Sequence, residues 1–287
     1  MSALFPNHEP SQRTLQHMTY THLVQQIKSK RSFLCVGLDT DRNLLPTRLR
    51  HHLNALFLFN REIIDATAPY AVAYKPNTAF YEAEGANGWQ QLTQTIQYIR
   101  HHHPHIFIIA DAKRGDIGNT AQRYARAFFE ELGVDAVTLA PYMGMDSIKP
   151  FLTYPDKWAI VLALTSNDSA SEFELQPLAN GQPLYKEVIK KCSQTGSKEQ
   201  LMFVAGATRP QKLAEIRAMV PEHFLLVPGV GAQGGSVAEV AKYGMNCDCG
   251  LLINVSRDII YAGQDKDFAH AAALKAAEIA QEMGRWL

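Results

Sequence analysis

Eight short runs rich in β-branched and apolar residues punctuate this 287-residue chain: Phe33–Leu38, Ala71–Lys75, Ile106–Asp111, Ala136–Leu139, Trp158–Leu164, Leu201–Ala205, Phe224–Val227 and Gly250–Ile253. Longer stretches with helical apolar spacing lie among them, over Leu49–Ala68, Gly88–Arg100, Thr120–Leu132, Leu184–Lys191, Pro210–Met219, Ser236–Tyr243 and Phe268–Met283. A short apolar run between turn residues suits a strand buried on both faces, and strands that alternate with helices build parallel sheet. No linker rich in Pro, Gly or Ser interrupts the alternation. The expected fold is therefore α/β, a single-domain (β/α)8 TIM barrel. A doubly wound open sheet is the competing arrangement. It calls for a Gly-x-Gly-x-x-Gly turn after an early strand, and none follows Phe33–Leu38.

Composition narrows the function classes. Lys+Arg and Asp+Glu both number 28, so no net field draws the chain to nucleic acid or to an acidic membrane. The four cysteines form no Cys-x-x-Cys pair, which suits a reducing compartment, and Cys247 and Cys249 read as small apolar residues near a strand. The first eighteen residues are polar and lack an apolar stretch of signal-peptide length, and Ala159 to Leu164 is too short to span a bilayer. Residues 1–18 are expected to form an N-terminal polar arm, residues 19–287 the barrel, and the protein is expected to be cytoplasmic.

In a barrel of this kind the chemistry collects where the strands end. The third run, Ile106 to Ala110, leads directly into Asp111-Ala112-Lys113-Arg114-Gly115-Asp116-Ile117-Gly118-Asn119-Thr120. On an extended backbone Asp111 and Lys113 point to the same side, and Asp116 falls in the loop beyond. An isolated Asp-x-Lys is usually a surface ion pair, but Gly115 and Gly118 permit a tight turn into a helix, which makes a strand, a charged loop and a helix in sequence. Other strand ends are polar as well: Asp39 after the first, Lys75 with Pro76 and Asn77 at the second, Thr165-Ser166-Asn167 after the fifth. Each alone has a bland reading, Asp39 as a turn cap and Lys75 as a snorkelling surface lysine; together they converge on one rim.

A second signal follows the seventh and eighth strands. Pro228-Gly229-Val230-Gly231-Ala232-Gln233-Gly234-Gly235 is a glycine-rich loop before a helix, and Asn254-Val255-Ser256-Arg257 ends the last strand. In barrels these two loops often hold a phosphate on backbone N–H groups, and Arg257 would add the counter-charge. The run His101-His102-His103-Pro104-His105 precedes the third strand, at the opposite end, and reads as a solvated loop and not as a metal site.

Taken in order, Gly37-Leu38-Asp39, Lys75-Pro76-Asn77, Asp111 to Thr120, Leu164-Thr165-Ser166-Asn167 and Pro228 to Gly235 resemble the orotidine 5′-phosphate decarboxylases, in their long-chain bacterial branch, over nearly the whole chain. The resemblance implies conversion of orotidine 5′-monophosphate to uridine 5′-monophosphate and CO2 in de novo pyrimidine biosynthesis, with no cofactor and no metal. It implies an alternating network of Lys75, Asp111, Lys113 and Asp116, with Lys113 as proton donor. It also implies a homodimer with shared sites, Asp116 and Thr120 reaching into the partner. Ribose contacts fall to Asp39 and Thr120, phosphate contacts to Gln233 and Arg257. For the pyrimidine Ser166 is favoured, with Thr165 and Asn167 left open, and the long polar stretch from Ser166 to Pro183 could serve as a lid. Two other readings compete. A Mg²⁺-dependent enzyme acting on a sugar phosphate shares the Asp-x-Lys-x-x-Asp motif, but Lys75 puts an ammonium where a metal site wants oxygen ligands. A non-catalytic phosphate-binding barrel would not need the charged network.

Overall fold

The computed structural model describes residues 18–231 and 234–287. Eight parallel strands close into one barrel: β1 Leu34–Leu38, β2 Ala71–Pro76, β3 Phe107–Arg114, β4 Ala136–Leu139, β5 Trp158–Leu164, β6 Leu201–Ala205, β7 Phe224–Pro228 and β8 Leu251–Val255. Closure is made by β8 against β1, with Leu34 opposite Ile253 and Val36 opposite Val255. The TIM barrel expected from the alternation is the observed fold. Helices ring the sheet outside, and Phe59 of the helix Ala55–Thr67 stacks on Phe268 of the last helix, Phe268–Met283, with ring centroids 4.9 Å apart. None of the helices among the described residues is long and apolar enough to cross a membrane.

The N-terminal end of the barrel is sealed by a plug. Trp158, Phe107 and Phe224 open β5, β3 and β7, and their rings meet edge to face. Tyr20 stacks on Trp158, and the indole N–H donates to the Met18 carbonyl at 3.0 Å. The helix that carries Tyr20, Tyr20–Lys30, buries Leu23, Val24 and Ile27. It lies within the part of the chain expected to be barrel, but no helix was expected there. The polar arm expected over 1–18 lies outside the described residues except for its last, Met18, which is buried.

Three helices depart from the expected spans. The pattern over Leu49–Ala68 breaks into Thr47–Arg50 and Ala55–Thr67. The break lets Leu56 and Phe57, in the first turn of the second helix, donate their backbone N–H groups to the Gln91 side chain, which satisfies donors that a helix start leaves free. The helix after β3 runs from Gly118 to Arg126 and continues as a π-helical turn over Ala127–Glu131, where the wider turn buries the consecutive rings of Phe128 and Phe129. His101 and His102 belong to the end of the helix Gly85–His102, not to a loop. Strand ends also shift. β3 continues to Arg114, past the expected Asp111, and β8 starts after Gly250, whose φ of 63° suits a turn.

Arg217 fastens the N-terminal side. It is buried, and its guanidinium donates to the carbonyls of Gly244, Val220, His223 and Gly250 at 2.6–2.9 Å, joining the loops that lead into β7 and β8. Replacing it strands several buried acceptors at once. Arg217→Met is expected to lower the unfolding free energy by about 3 kcal/mol, measured by urea denaturation; a change below about 1 kcal/mol would show that water replaces the guanidinium at little cost.

Candidate active site

The ends of β2, β3 and β4 bring four side chains together. Asp111 is buried near the end of β3, bridged through its backbone to Asn77 just beyond β2. One of its carboxylate oxygens accepts from the Lys75 ammonium at 2.6 Å; the other accepts from Lys113 at 2.6 Å and from the Thr138 hydroxyl at 2.9 Å. Lys75 is only 4% exposed, whereas 49% of the Lys113 side chain remains open to solvent. One ammonium is sunk in the barrel and the other faces the mouth.

Simple alternation does not deliver Lys113. Ala110 pairs with Val137 and Arg114 with Leu139, so Asp111, Ala112 and Lys113 together face Thr138 alone. This bulge turns Lys113 into the left-handed region, at φ 47°, where a side chain is strained. Its backbone N–H donates to Thr138 Oγ1 at 2.9 Å. The two charged side chains meet, as expected from an extended backbone, but through a bulge.

Burial alone would push the Asp111 carboxyl up; the ammoniums of Lys75 and Lys113 outweigh it and hold the group well below the usual carboxylate range. Burial would likewise depress Lys75, but Asp111 and Asp39 raise it above the ordinary lysine value. The buried Lys75–Asp111 pair is therefore ionised at neutral pH.

Of the other expected site residues, Asp39, Asp116, Thr120, Ser166 and Arg257 are described, and no hydrogen bond or ion pair joins them to this network. Asp39, half-buried after β1, has one carboxylate oxygen, Oδ1, that is buried and lacks a hydrogen-bond partner. Asp116 is half-buried and accepts from the backbone N–H of Ile117 at 2.8 Å, while Thr120 is exposed on the following helix. Ser166 is half-buried at the end of β5; its backbone lies so near Gly206 that a Cβ there would come within 2.8 Å of the Ser166 nitrogen. Thr165 is engaged elsewhere: its hydroxyl and backbone N–H both reach the Glu174 carboxylate, and it also bonds Asn167. Within the stretch expected as a lid, Pro177 pairs with Pro183, and Leu178 and Gln182 close a tight turn.

Gln233 lies outside the described residues. Around it Gly229, Gly231 and Gly234 all have positive φ, the region that glycine enters without strain, and Gly231 faces the Asp258 carboxylate beyond β8. Arg257 is exposed at the start of the short helix Arg257–Ile260 beside it. The helix that follows the glycine loop, Val237–Gly244, is capped by Ser236, which accepts from Glu239 N–H at 3.0 Å. Sequence reasoning passed over Thr138 and Glu174; a buried hydroxyl within an apolar strand was the available sign of the first.

A model of the family described as orotidine 5′-phosphate decarboxylase / HUMPS matches residues 32–272. The chain belongs to this family. It is 53% identical over 270 residues to an orotidine 5′-phosphate decarboxylase of Bacteroides fragilis strain YCH46, covering 94% of this chain and 98% of that one. With the corresponding enzyme of Christiangramia forsetii it shares 55% identity over 267 residues, 93% of this chain and 97% of the relative. Among solved structures, OMP decarboxylase of Leishmania donovani superposes with a TM-score of 0.79 at 36% identity, covering 94% of this chain and 99% of that chain.

The ionic network of this family member links pH to stability. Because the Asp111 carboxyl is depressed on folding, its contribution is complete above the unfolded value of about 3.9 and is lost as pH falls through the folded value. The raised Lys75 contributes fully below its unfolded value of about 10.4 and loses that contribution as pH rises through the folded one. Asp111→Asn leaves Lys75 buried without its counter-ion and is expected to cost about 3 kcal/mol at neutral pH. The deficit should shrink as pH drops below about 4; urea melts of both proteins at neutral and acid pH measure it, and an equal deficit at both would contradict the ionic account.

Proposed function

We propose that the chain is a carboxy-lyase that converts orotidine 5′-monophosphate to uridine 5′-monophosphate and CO2, a step of pyrimidine nucleotide biosynthesis, using its own ionic groups without metal or organic cofactor. The observation that carries this reading is the Asp111 carboxylate held 2.6 Å from each of two ammoniums, of which only that of Lys113 opens to the mouth. Loss of CO2 breaks the bond to pyrimidine C6 and leaves the electron pair in an in-plane orbital that the ring delocalises poorly. An ammonium beside that carbon stabilises the developing charge and then supplies the proton, and the resulting amine regains one from solvent. Asp111 would lie near the departing carboxylate. At about 4 Å and an effective dielectric of about 20, two like charges repel by roughly 4 kcal/mol, which is relieved as neutral CO2 leaves. Against a Mg²⁺-dependent sugar-phosphate reading stands the same geometry, since both oxygens of Asp111 already accept from ammoniums.

In this reading Asp39 and Thr120 bind the ribose, Ser166 the pyrimidine, and Gln233 with Arg257 the phosphate. CO2 release from orotidine 5′-monophosphate tests it. Activity should survive exhaustive chelation, and Lys113→Ala should lower kcat by at least about 10⁴-fold while uridine 5′-monophosphate still binds. Activity that disappears on chelation and returns only with Mg²⁺, or near-normal turnover in Lys113→Ala, would sink it.

The working unit in this reading is a homodimer whose sites are completed across the interface. Among the described residues Asp116 forms no ion pair with Lys75 or Lys113, which both pair with Asp111, and exposed apolar side chains, Ile117, Tyr142 and Met143, stand on the loops after β3 and β4. Asp116→Ala and Lys113→Ala subunits, each inactive alone, should recover activity when mixed, towards one working site per heterodimer. Verified heterodimers as inactive as their parents would confine Asp116 to its own chain.

A further inference from the structure

Thr138 sits on β4, outside every charged motif, and is 1% exposed among apolar neighbours. Its hydroxyl nevertheless makes two contacts with the two most important residues of β3. It donates to Asp111 Oδ1 at 2.9 Å and accepts the backbone N–H of Lys113 at 2.9 Å. These bonds fall at the bulge, where Thr138 alone faces Asp111, Ala112 and Lys113. Just beyond it the ladder resumes, with Ala140 N–H donating to the Arg114 carbonyl at 2.8 Å.

We propose that Thr138 is a positioning residue for decarboxylation: its hydroxyl holds the bulge in which Lys113 adopts its left-handed backbone, and thereby aims the Lys113 ammonium. The inference rests on the decarboxylase reading above. A left-handed lysine persists only where its surroundings over-determine it. Here the surroundings are one hydroxyl that satisfies the lysine's own amide and, through Asp111 Oδ1, the oxygen that the lysine's ammonium also grips. Backbone and side chain of Lys113 are thus referred to the same atom of a neighbouring strand. Removing that atom leaves the Lys113 amide without its acceptor, and the bulge can relax to a less strained form in which the ammonium points elsewhere. A proton donor displaced by about 1 Å loses on the order of 100-fold in rate.

Thr138→Val, close to isosteric, removes the hydroxyl, and Thr138→Ser keeps it. Steady-state decarboxylation should show kcat of Thr138→Val reduced about 10- to 100-fold, with KM and the affinity for uridine 5′-monophosphate within about threefold of the parent. Thr138→Ser should restore kcat to within about threefold. If the valine variant does not fold, Thr138→Ala is read in its place. A folded hydroxyl-free variant with parental kcat overturns the proposal, as does a serine variant as slow as the valine one, or a loss that appears in KM and ligand affinity instead of kcat. A crystal structure of the hydroxyl-free variant gives an answer independent of activity. Lys113 should leave its left-handed backbone conformation and move its Nζ away from Asp111; an unchanged Lys113 overturns the proposal. Should the parent protein release no CO2 from orotidine 5′-monophosphate, the decarboxylase reading fails, and this structural comparison alone decides whether Thr138 sets the Lys113 geometry.

Discussion

A carboxylate and an ammonium are each costly to bury, and the contact between Lys75 and Asp111 offsets that cost for both. Their contact at 2.6 Å requires β2 and β3 to lie side by side; the parallel pairing of Ala73 with Phe107 and Tyr74 with Ile108 sets Asp111 opposite Asn77, two residues beyond Lys75, a step that the long lysine side chain spans. Lys113 is the third charge on this base. The buried pair neutralises itself, so the trio of two ammoniums and one carboxylate keeps one positive charge, and that charge is on the half-exposed member. A site built in this way attracts an anionic group to its mouth while its interior remains electrically satisfied.

The two ends of the barrel do different work, although left-handed non-glycine residues occur at both, with Arg31, Asp156 and Cys249 on the N-terminal side and Lys113 in the site. The N-terminal end holds the aromatic plug around Trp158 and the carbonyl clamp of Arg217, both regular and densely bonded. The C-terminal end holds the left-handed Lys113 and the left-handed glycines of the β7 loop. Conformations of that kind cost on the order of 1–3 kcal/mol each for a residue with a side chain, and a fold carries them only where the rest of the structure is secure. The division matches the general use of such barrels, in which loops at one end carry chemistry and the other end carries stability.

The barrel was readable because strands buried on both faces read as apolar runs, and β4, β5 and β6 begin and end where those runs do. Irregular features were hidden because they depend on partners distant in sequence. The break after Arg50 depends on Gln91, whose side chain caps a helix in another part of the chain. The helix Tyr20–Lys30 buries only Tyr20, Leu23, Val24 and Ile27 and otherwise reads as polar. In the site, Asp111 and Lys113 were legible as a pair, but the bulge that joins them was not, since alternation predicts a common side for quite another reason. Thr138 gave only a faint sign, a hydroxyl within an apolar run, because a threonine in a strand is what β-propensity already expects.

Barrel order ties the proposed roles to the shape of the substrate. Around the rim the sequence of strands is β7, β8, β1, β2, β3. The glycine loop and Arg257 belong to the first two, Asp39 to the third, and Lys75, Asp111 and Lys113 to the last two. A nucleotide presents the same order along its length: phosphate, ribose, then the base at its far end. With the phosphate on β7 and β8, a carboxylate after β1 meets the sugar hydroxyls, and the unpartnered buried oxygen of Asp39 is an acceptor ready for one of them. In the proposed reading the reacting carbon then arrives over β2 and β3, beside the half-exposed Lys113 ammonium. Binding energy gathered at the phosphate would thereby be transmitted through a ligand of fixed length to the carbon beside Lys113, and a substrate without its phosphate would lose positioning at the reacting end as well as affinity.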